Sequence, residues 1–171
     1  MTYTKIAILG ITGAGKTTFS RMVQEKTGLP LFHMDALFWR GKWQEVSEQE
    51  YLQSHEEILK NNERWIIEGW INPNMADRLK QADLIIYLDY PGWRVAFRYI
   101  TRYFRHRKVA RPELPKESVE TFKFRRLFIS LFRGERPDIE RSLTFAGDTS
   151  KIVRLKSPRE IHAYLASAFP D

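Results

Sequence analysis

The chain contains no cysteine. Disulfides, thiolate-bound zinc and a cysteine nucleophile are thereby excluded. Histidine is scarce: His33, His55, His106 and His162 stand apart, with no metal-ligand spacing. No apolar run approaches the roughly 20 residues of a membrane span; the longest strand-like one is Leu84–Leu88. Internal repeats, low-complexity tracts and interdomain linkers are missing too. Residues 1–171 therefore read as one domain, large enough for a sizeable core. With 13% aromatic residues the chain is not a disordered tail. Met1–Lys5 lacks a signal-peptide layout, so the expected setting is cytoplasmic.

What the chain does have is a local excess of positive charge. The net charge is +7, yet residues 94–136 alone carry +9 and the remainder −2. One segment thus holds the basicity, and such a block attracts polyanions: a nucleic-acid backbone or the phosphates of a nucleotide.

Short apolar runs alternate with helical patterns. Lys5–Gly10, Leu31–Met34, Arg64–Glu68, Leu84–Leu88 and Lys151–Leu155 read as strands. Helices are expected over 16–27, from Ser47 to about Asn61, from Asn72-Pro73 to near Ala82, from Pro91 to about Arg107, over 119–133, and from Ser157-Pro158 to about Ala168. Ser47 with Glu50 makes a capping box. Leu37–Trp43 reads as an aromatic loop, and Pro112 and Pro115 mark another. Near-continuous apolar strands between helices predict an α/β domain with a parallel sheet covered on both faces.

The sharpest signal is Gly10-Ile11-Thr12-Gly13-Ala14-Gly15-Lys16-Thr17, a complete P-loop pattern between the first strand and first helix. Glycines let the backbone turn its N–H groups toward phosphate oxygens. The helix N-terminus adds partial positive charge. The expected ligand is ATP with Mg²⁺: Gly10, Thr12, Gly13, Ala14 and Gly15 line the loop, Lys16 reaches the β- and γ-phosphates, and Thr17 binds the metal. Thr18 is a weaker candidate. Asp89-Tyr90-Pro91-Gly92 fits the D-x-x-G element of GTPases, but no Asn-Lys-x-Asp follows it.

A kinase must position an acceptor and shield the phosphoryl group from water. Arg94, Arg98, Arg102 and Arg105 fall on one helical face, with Trp93, Ala96, Phe97, Ile100 and Phe104 on the other. On the 119–133 helix, Phe124, Leu127, Phe128 and Leu131 are expected in the core, with Arg125, Arg126 and Arg133 elsewhere. The two helices suggest a lid over about 94–136. Asp35 and Glu68 stand at strand ends, where open α/β sheets bind ligands. Either carboxylate can orient or deprotonate an acceptor hydroxyl, or hold Mg²⁺ through water; Asp35 can also be a helix cap. Trp39, Trp43 and Trp70 are candidates to stack a base or sugar, or to pack under a loop. His33 reads as a hydrogen-bonded strand residue rather than a ligand.

The chain resembles the bacterial topology modulation proteins, a branch of the adenylate-kinase-like P-loop kinases. The likeness runs from Lys5 to about Ile161. It rests on Gly10–Thr18, Leu29–Asp35 with Leu37-Phe38-Trp39, Trp65–Gly69, Leu88–Pro91 and Arg133-Gly134-Glu135-Arg136-Pro137. It implies a P-loop nucleoside triphosphate hydrolase fold: a five-stranded parallel sheet, order 2-3-1-4-5, flanked by helices and bearing a helical lid. It also implies that Arg98 and Arg102 match an R-x-x-x-R pair at the adenine and phosphates. The expected catalytic set is Lys16, Asp35, Glu68, Arg102 and Arg136; Mg²⁺ falls to Thr17 and Glu68. Adenylate kinases usually carry Asp-Gly where this chain has Glu68-Gly69, and their substrate-side pattern is missing, so AMP does not carry over as acceptor. The expected function is ATP-dependent phosphoryl transfer to a small-molecule or nucleotide acceptor. The alternative is a nucleic-acid-associated regulatory ATPase affecting DNA topology. No membrane partner is expected.

Overall fold

The apolar runs form five short strands: β1 (Lys5–Gly10), β2 (Leu31–His33), β3 (Trp65–Glu68), β4 (Leu84–Leu88) and β5 (Ile152–Leu155). The computed structural model describes residues 3–40, 42–108, 122–132 and 134–170. The strands form one sheet of order β2-β3-β1-β4-β5, every pairing parallel. That is the order the family resemblance implies. Ile6, Ile8, Ile66, Ile67, Ile85 and Ile86 are fully buried. At about 1.5–3 kcal/mol per fully buried side chain, these residues supply much of the drive for folding. Asp83 fixes the entry edge: its Oδ2 accepts from the backbone N–H groups of Thr4 and Lys5 at 2.8 and 2.9 Å.

Eight helices of the described residues flank the sheet: α1 (Lys16–Thr27), α2 (Met34–Phe38), α3 (Glu48–Asn61), α4 (Asp77–Gln81), α5 (Gly92–His106), α6 (Phe124–Phe132), α7 (Arg136–Leu143) and α8 (Pro158–Ala168). Gly28 ends α1 in a left-handed conformation, its N–H donating to Gln24 O at 2.8 Å. Ser47 Oγ accepts from Glu50 N at 3.2 Å and opens α3. Ser157 caps α8 in the same way, accepting from Glu160 N at 3.3 Å. None of the described helices is long and apolar enough to cross a membrane.

Several expectations need correction. Met34 and Asp35 do not prolong β2; they open α2, which takes the first half of the expected aromatic loop. The helix expected from Asn72 to near Ala82 is a 3₁₀ turn, Pro73–Met75, followed by α4. Helix α7 was not anticipated. On α5 the buried positions are Gly92, Val95, Ala96 and Tyr99, while Trp93, Phe97 and Phe104 are more than 60% exposed. Phe124, Phe128 and Leu131 of α6 are exposed as well, not a core stripe. Pro112, Pro115 and Arg133 lie outside the described residues, as does the side chain of Arg126; the expected lid is therefore described only in part.

Candidate active site

Parallel pairing brings one set of strand ends to a common edge. Ile8 of β1 is level with Glu68, and His33 of β2 is level with Glu68 from the other side. Gly10 is level with Leu88 of β4. The Gly10–Thr17 loop therefore leaves the sheet between the ends of β3 and β4. Ala14 N donates to Ile11 O at 3.0 Å and tightens the loop. Gly15, with φ 90°, precedes the first turn of α1. A Cβ there would stand 2.8 Å from Arg98 Nη1. The bare backbone lets that guanidinium approach.

Lys16 is not exposed on the loop, as its position suggested. It is 9% accessible, and its Nζ donates to Gly10 O at 2.9 Å. Thr17 Oγ1 donates to Glu68 Oε1 at 3.0 Å. His33 Nδ1 stands 2.7 Å from the same oxygen. Glu68 is 2% exposed and thus lies behind the loop, coupling Thr17 to β2. His33 is hydrogen-bonded, as expected of it.

A cavity of about 690 Å³ opens in front of the loop. Thr12, Gly13, Ala14, Gly15, Lys16, Thr17 and Thr18 line it on one side, and Asp35 also reaches it. Arg98, Arg102 and Arg105 of α5 line it with Tyr90; Pro158 and His162 bound it from α8. Arg98 Nη1 donates to Ala14 O at 2.8 Å, and its guanidinium stacks 4.8 Å from the Tyr90 ring centre. Arg102 lies 5.5 Å from the Tyr99 ring centre. Arg94 departs from the arginine stripe: it lies over Trp93 and does not line this cavity. The arrangement is chemically a cationic trough ending in a helix N-terminus, suited to a chain of phosphates.

Arg136 lies outside this cavity. Its Nη2 donates to Asp89 Oδ2 and its Nε to Glu140 Oε1, each at 3.1 Å. Arg154 joins this cluster, with Nη1 on Glu140 Oε1 at 2.7 Å. The arginines beside Glu140 hold its carboxyl below the usual range, Arg154 foremost, against a smaller opposing effect of burial. Asp89, the residue of the D-x-x-G element, is thus part of an ion-pair network behind β4 and β5.

Arg78 went unnoticed in the sequence, and Glu135 stood there only within the Arg133–Pro137 run, with no role of its own. Arg78 of α4 is fully buried, and its Nη2 donates to Trp70 O at 2.7 Å and Gly69 O at 3.4 Å. Burial lowers its pKa to about 10. It holds the chain just after Glu68, and Trp70 serves there through its backbone. Glu135, immediately before α7, accepts from Thr12 N at 2.6 Å and from Thr12 Oγ1 at 2.7 Å. Among the described residues no group of three or more His, Asp or Glu is placed to hold a metal.

The fold is shared with a sugar kinase from Janibacter sp. HTCC2649, solved without ligand: TM-score 0.57, covering 98% of this chain and 96% of that one, at 17% identity. The chain has a kinase-like α/β fold. No family model matches it, and no curated protein does.

Proposed function

We propose that the protein is an ATP-dependent phosphotransferase that moves the γ-phosphoryl group of ATP to a hydroxyl of a small acceptor. The observation that carries this reading is the Gly10–Thr17 loop facing a cavity lined by Arg98, Arg102 and Arg105. In this reading it is a P-loop. Its N–H groups and the start of α1 bind the β- and γ-phosphates, and Lys16 turns its ammonium from Gly10 O to their oxygens. Arg98, stacked on Tyr90, binds the adenine end, and Arg102 steadies charge on the transferring group. The fold shared with a sugar kinase is in keeping with this reaction class.

The residues present fit Mg²⁺ as a shared ligand. That ion keeps several waters and takes one or two protein ligands beside phosphate oxygens. Thr17 would bind it directly; Glu68, 3.0 Å from Thr17, and Asp35 would hold it through water. When bound it neutralises charge on the phosphates. Glu68 is then a positioning residue, setting the Thr17 hydroxyl.

Calorimetry with ATP·Mg²⁺ tests the reading. Lys16→Met keeps the buried stem and removes the ammonium, so affinity should fall at least tenfold while the melting curve changes little. Equal affinity in the variant and the parent would remove the assignment. DNA remains the competing use of the basic segment. The inward placement of three of its arginines speaks against it, and steep salt weakening of duplex binding would speak for it.

A further inference from the structure

A second cavity, of about 290 Å³, adjoins the first. Thr12 lines both. The other walls are Trp39, Trp43, Glu45, Lys123, Arg125 and Glu135, with Ile129 behind them. The two indoles meet edge to face, centres 5.1 Å apart. They are presented by a small hairpin: Val46 N donates to Phe38 O at 3.0 Å and Arg40 N to Gln44 O at 2.9 Å. At its tip Lys42 and Trp43 take φ of 45° and 58°. A left-handed conformation is an outlier for so bulky a residue as Trp43 and costs on the order of 1–3 kcal/mol. Strain of this kind persists where the placement of a side chain matters, and here it sets an indole into a cavity wall.

We infer that this second cavity is the acceptor site, that it takes a neutral single-ring polyol such as a monosaccharide or cyclitol, and that Glu135 receives the proton of the hydroxyl that is phosphorylated. The inference rests on the phosphotransferase reading above. Three observations define the ligand class. The volume sits at the low end of small-molecule pockets, which limits the ligand to about one ring. The two indoles give the cavity an apolar wall against which ring C–H groups can pack. Two carboxylates, Glu45 and Glu135, balance two cations, Lys123 and Arg125. Such a wall offers both acceptors and donors to hydroxyls but no surplus charge for an ionised acceptor.

Glu135 lines the second cavity and is bonded to Thr12, the residue that lines both. Thr12 occupies one acceptor position on each of its oxygens; an ionised carboxylate has about four. The remaining ones can accept from a hydroxyl in the second cavity. The acceptor oxygen then bonds to the γ-phosphorus, the bond from that phosphorus to the β–γ bridging oxygen breaks, and ADP leaves with the electron pair. The hydroxyl proton passes to Glu135 and from there to solvent.

The test is ADP release from the full chain with ATP and Mg²⁺, against two sets of acceptors. Glucose, ribose and myo-inositol form the neutral set; AMP and glucose 6-phosphate form the anionic set. We expect turnover with at least one neutral ring. Trp43→Ala should raise the KM for that ring at least tenfold and leave the KM for ATP within twofold. Glu135→Gln should lower kcat by roughly 10²–10⁴, the usual contribution of a general base, with ATP affinity held within threefold by calorimetry to show that the fold and the loop survive. Trp43→Phe, which keeps an aromatic face, should recover part of the loss. Turnover with only the anionic set, with none of the five, or at parental rates in both Trp43→Ala and Glu135→Gln overturns the inference. Failure of the parent protein to bind ATP·Mg²⁺ overturns the phosphotransferase reading instead.

Discussion

Gly69 follows β3 directly after Glu68, with φ +144°. A Cβ on it would stand 2.6 Å from Met34 Cβ and 3.3 Å from Met34 Cγ. Carbon atoms pack at about 3.5–4.0 Å, so roughly 1 Å must open between the end of β3 and the start of α2. No rotamer change relieves this, because Met34 Cβ is fixed to the backbone and Met34 is fully buried. Gly69→Ala therefore combines positive-φ strain of about 1–3 kcal/mol with overpacking of about 1–3 kcal/mol. The sum, roughly 2–6 kcal/mol, is a large part of the 5–15 kcal/mol typical of a domain. Gly28→Ala is the control: φ is +66° and nothing lies within 4 Å of the added carbon, leaving a conformational cost of about 1–2 kcal/mol. With a urea m-value of about 2 kcal/mol per M, Gly69→Ala should lower the unfolding midpoint by roughly 1–3 M and Gly28→Ala by 1 M or less. Because Met34 carries Asp35 with it, the first variant should also lose ATP turnover beyond its loss of stability. Equal midpoints for the two variants would refute the reasoning.

The remaining predictions concern charge. Burial foremost, aided by the Arg78 charge, pushes His55 down to about 4, against about 6.5 in an unfolded chain. Between those values the unfolded state binds the extra proton, so stability should fall as pH drops from about 6.5 toward 4, by up to roughly 3 kcal/mol. His55→Leu, which also removes a buried Nε2 without a hydrogen-bond partner, should flatten that stretch of a urea-midpoint profile. Arg98→Ala loses the bond to Ala14 O and the stack on Tyr90; it should weaken ATP binding about tenfold by calorimetry. Arg102→Ala should spare binding and lower kcat by 10³ or more, the scale known for arginines at transferring phosphoryl groups.

The parts of this molecule legible in its sequence are those encoded by neighbours in the chain. Leu84–Leu88 is a strand at the bounds its apolar run indicates, because five consecutive apolar residues between Asp83 and Asp89 leave little choice. The strand, glycine loop and helix of residues 5–27 were equally plain, since each piece caps the next. Short helices escaped. Met34–Phe38 has only five residues, too few for a 3.6-residue period to register, and its Leu37 and Phe38 read as loop. Helix α7 did carry a signal: Pro137 in its first turn, Asp138 beside it, and Ile139 and Leu143 four apart and buried. On α5 helical periodicity was present, but it did not show which apolar residues face inward. Val95 packs against the loop, where its Cγ1 would meet a Cβ on Gly13 at 3.0 Å, and Tyr99 is buried with its hydroxyl accepting from Lys123 N at 2.9 Å. Trp93 and Phe97 stay exposed.

The same distinction separates the two cavities. The first cavity is built chiefly from one contiguous loop and one face of α5, so most of its residues are legible in the sequence. The second cavity draws Thr12, the 39–45 hairpin, the start of α6 and the turn before α7 to one point. Thr12 and Glu135 are 123 residues apart, and no local pattern joins them. In the sequence Glu135 stands within Arg133-Gly134-Glu135-Arg136-Pro137, one acidic residue in a basic segment, with nothing to tie it to Thr12. Its meaning depends on the sheet order that places the β1 loop beside the chain entering α7, and that order is a property of the whole fold. Asp35 and Glu68 sit where α/β sheets generally bind ligands, yet Glu68 is buried against Thr17 and His33. Under the proposed phosphotransferase reading, that suits Glu68 to setting the Thr17 hydroxyl rather than to meeting an acceptor, and the acceptor's proton falls to the carboxylate held on Thr12.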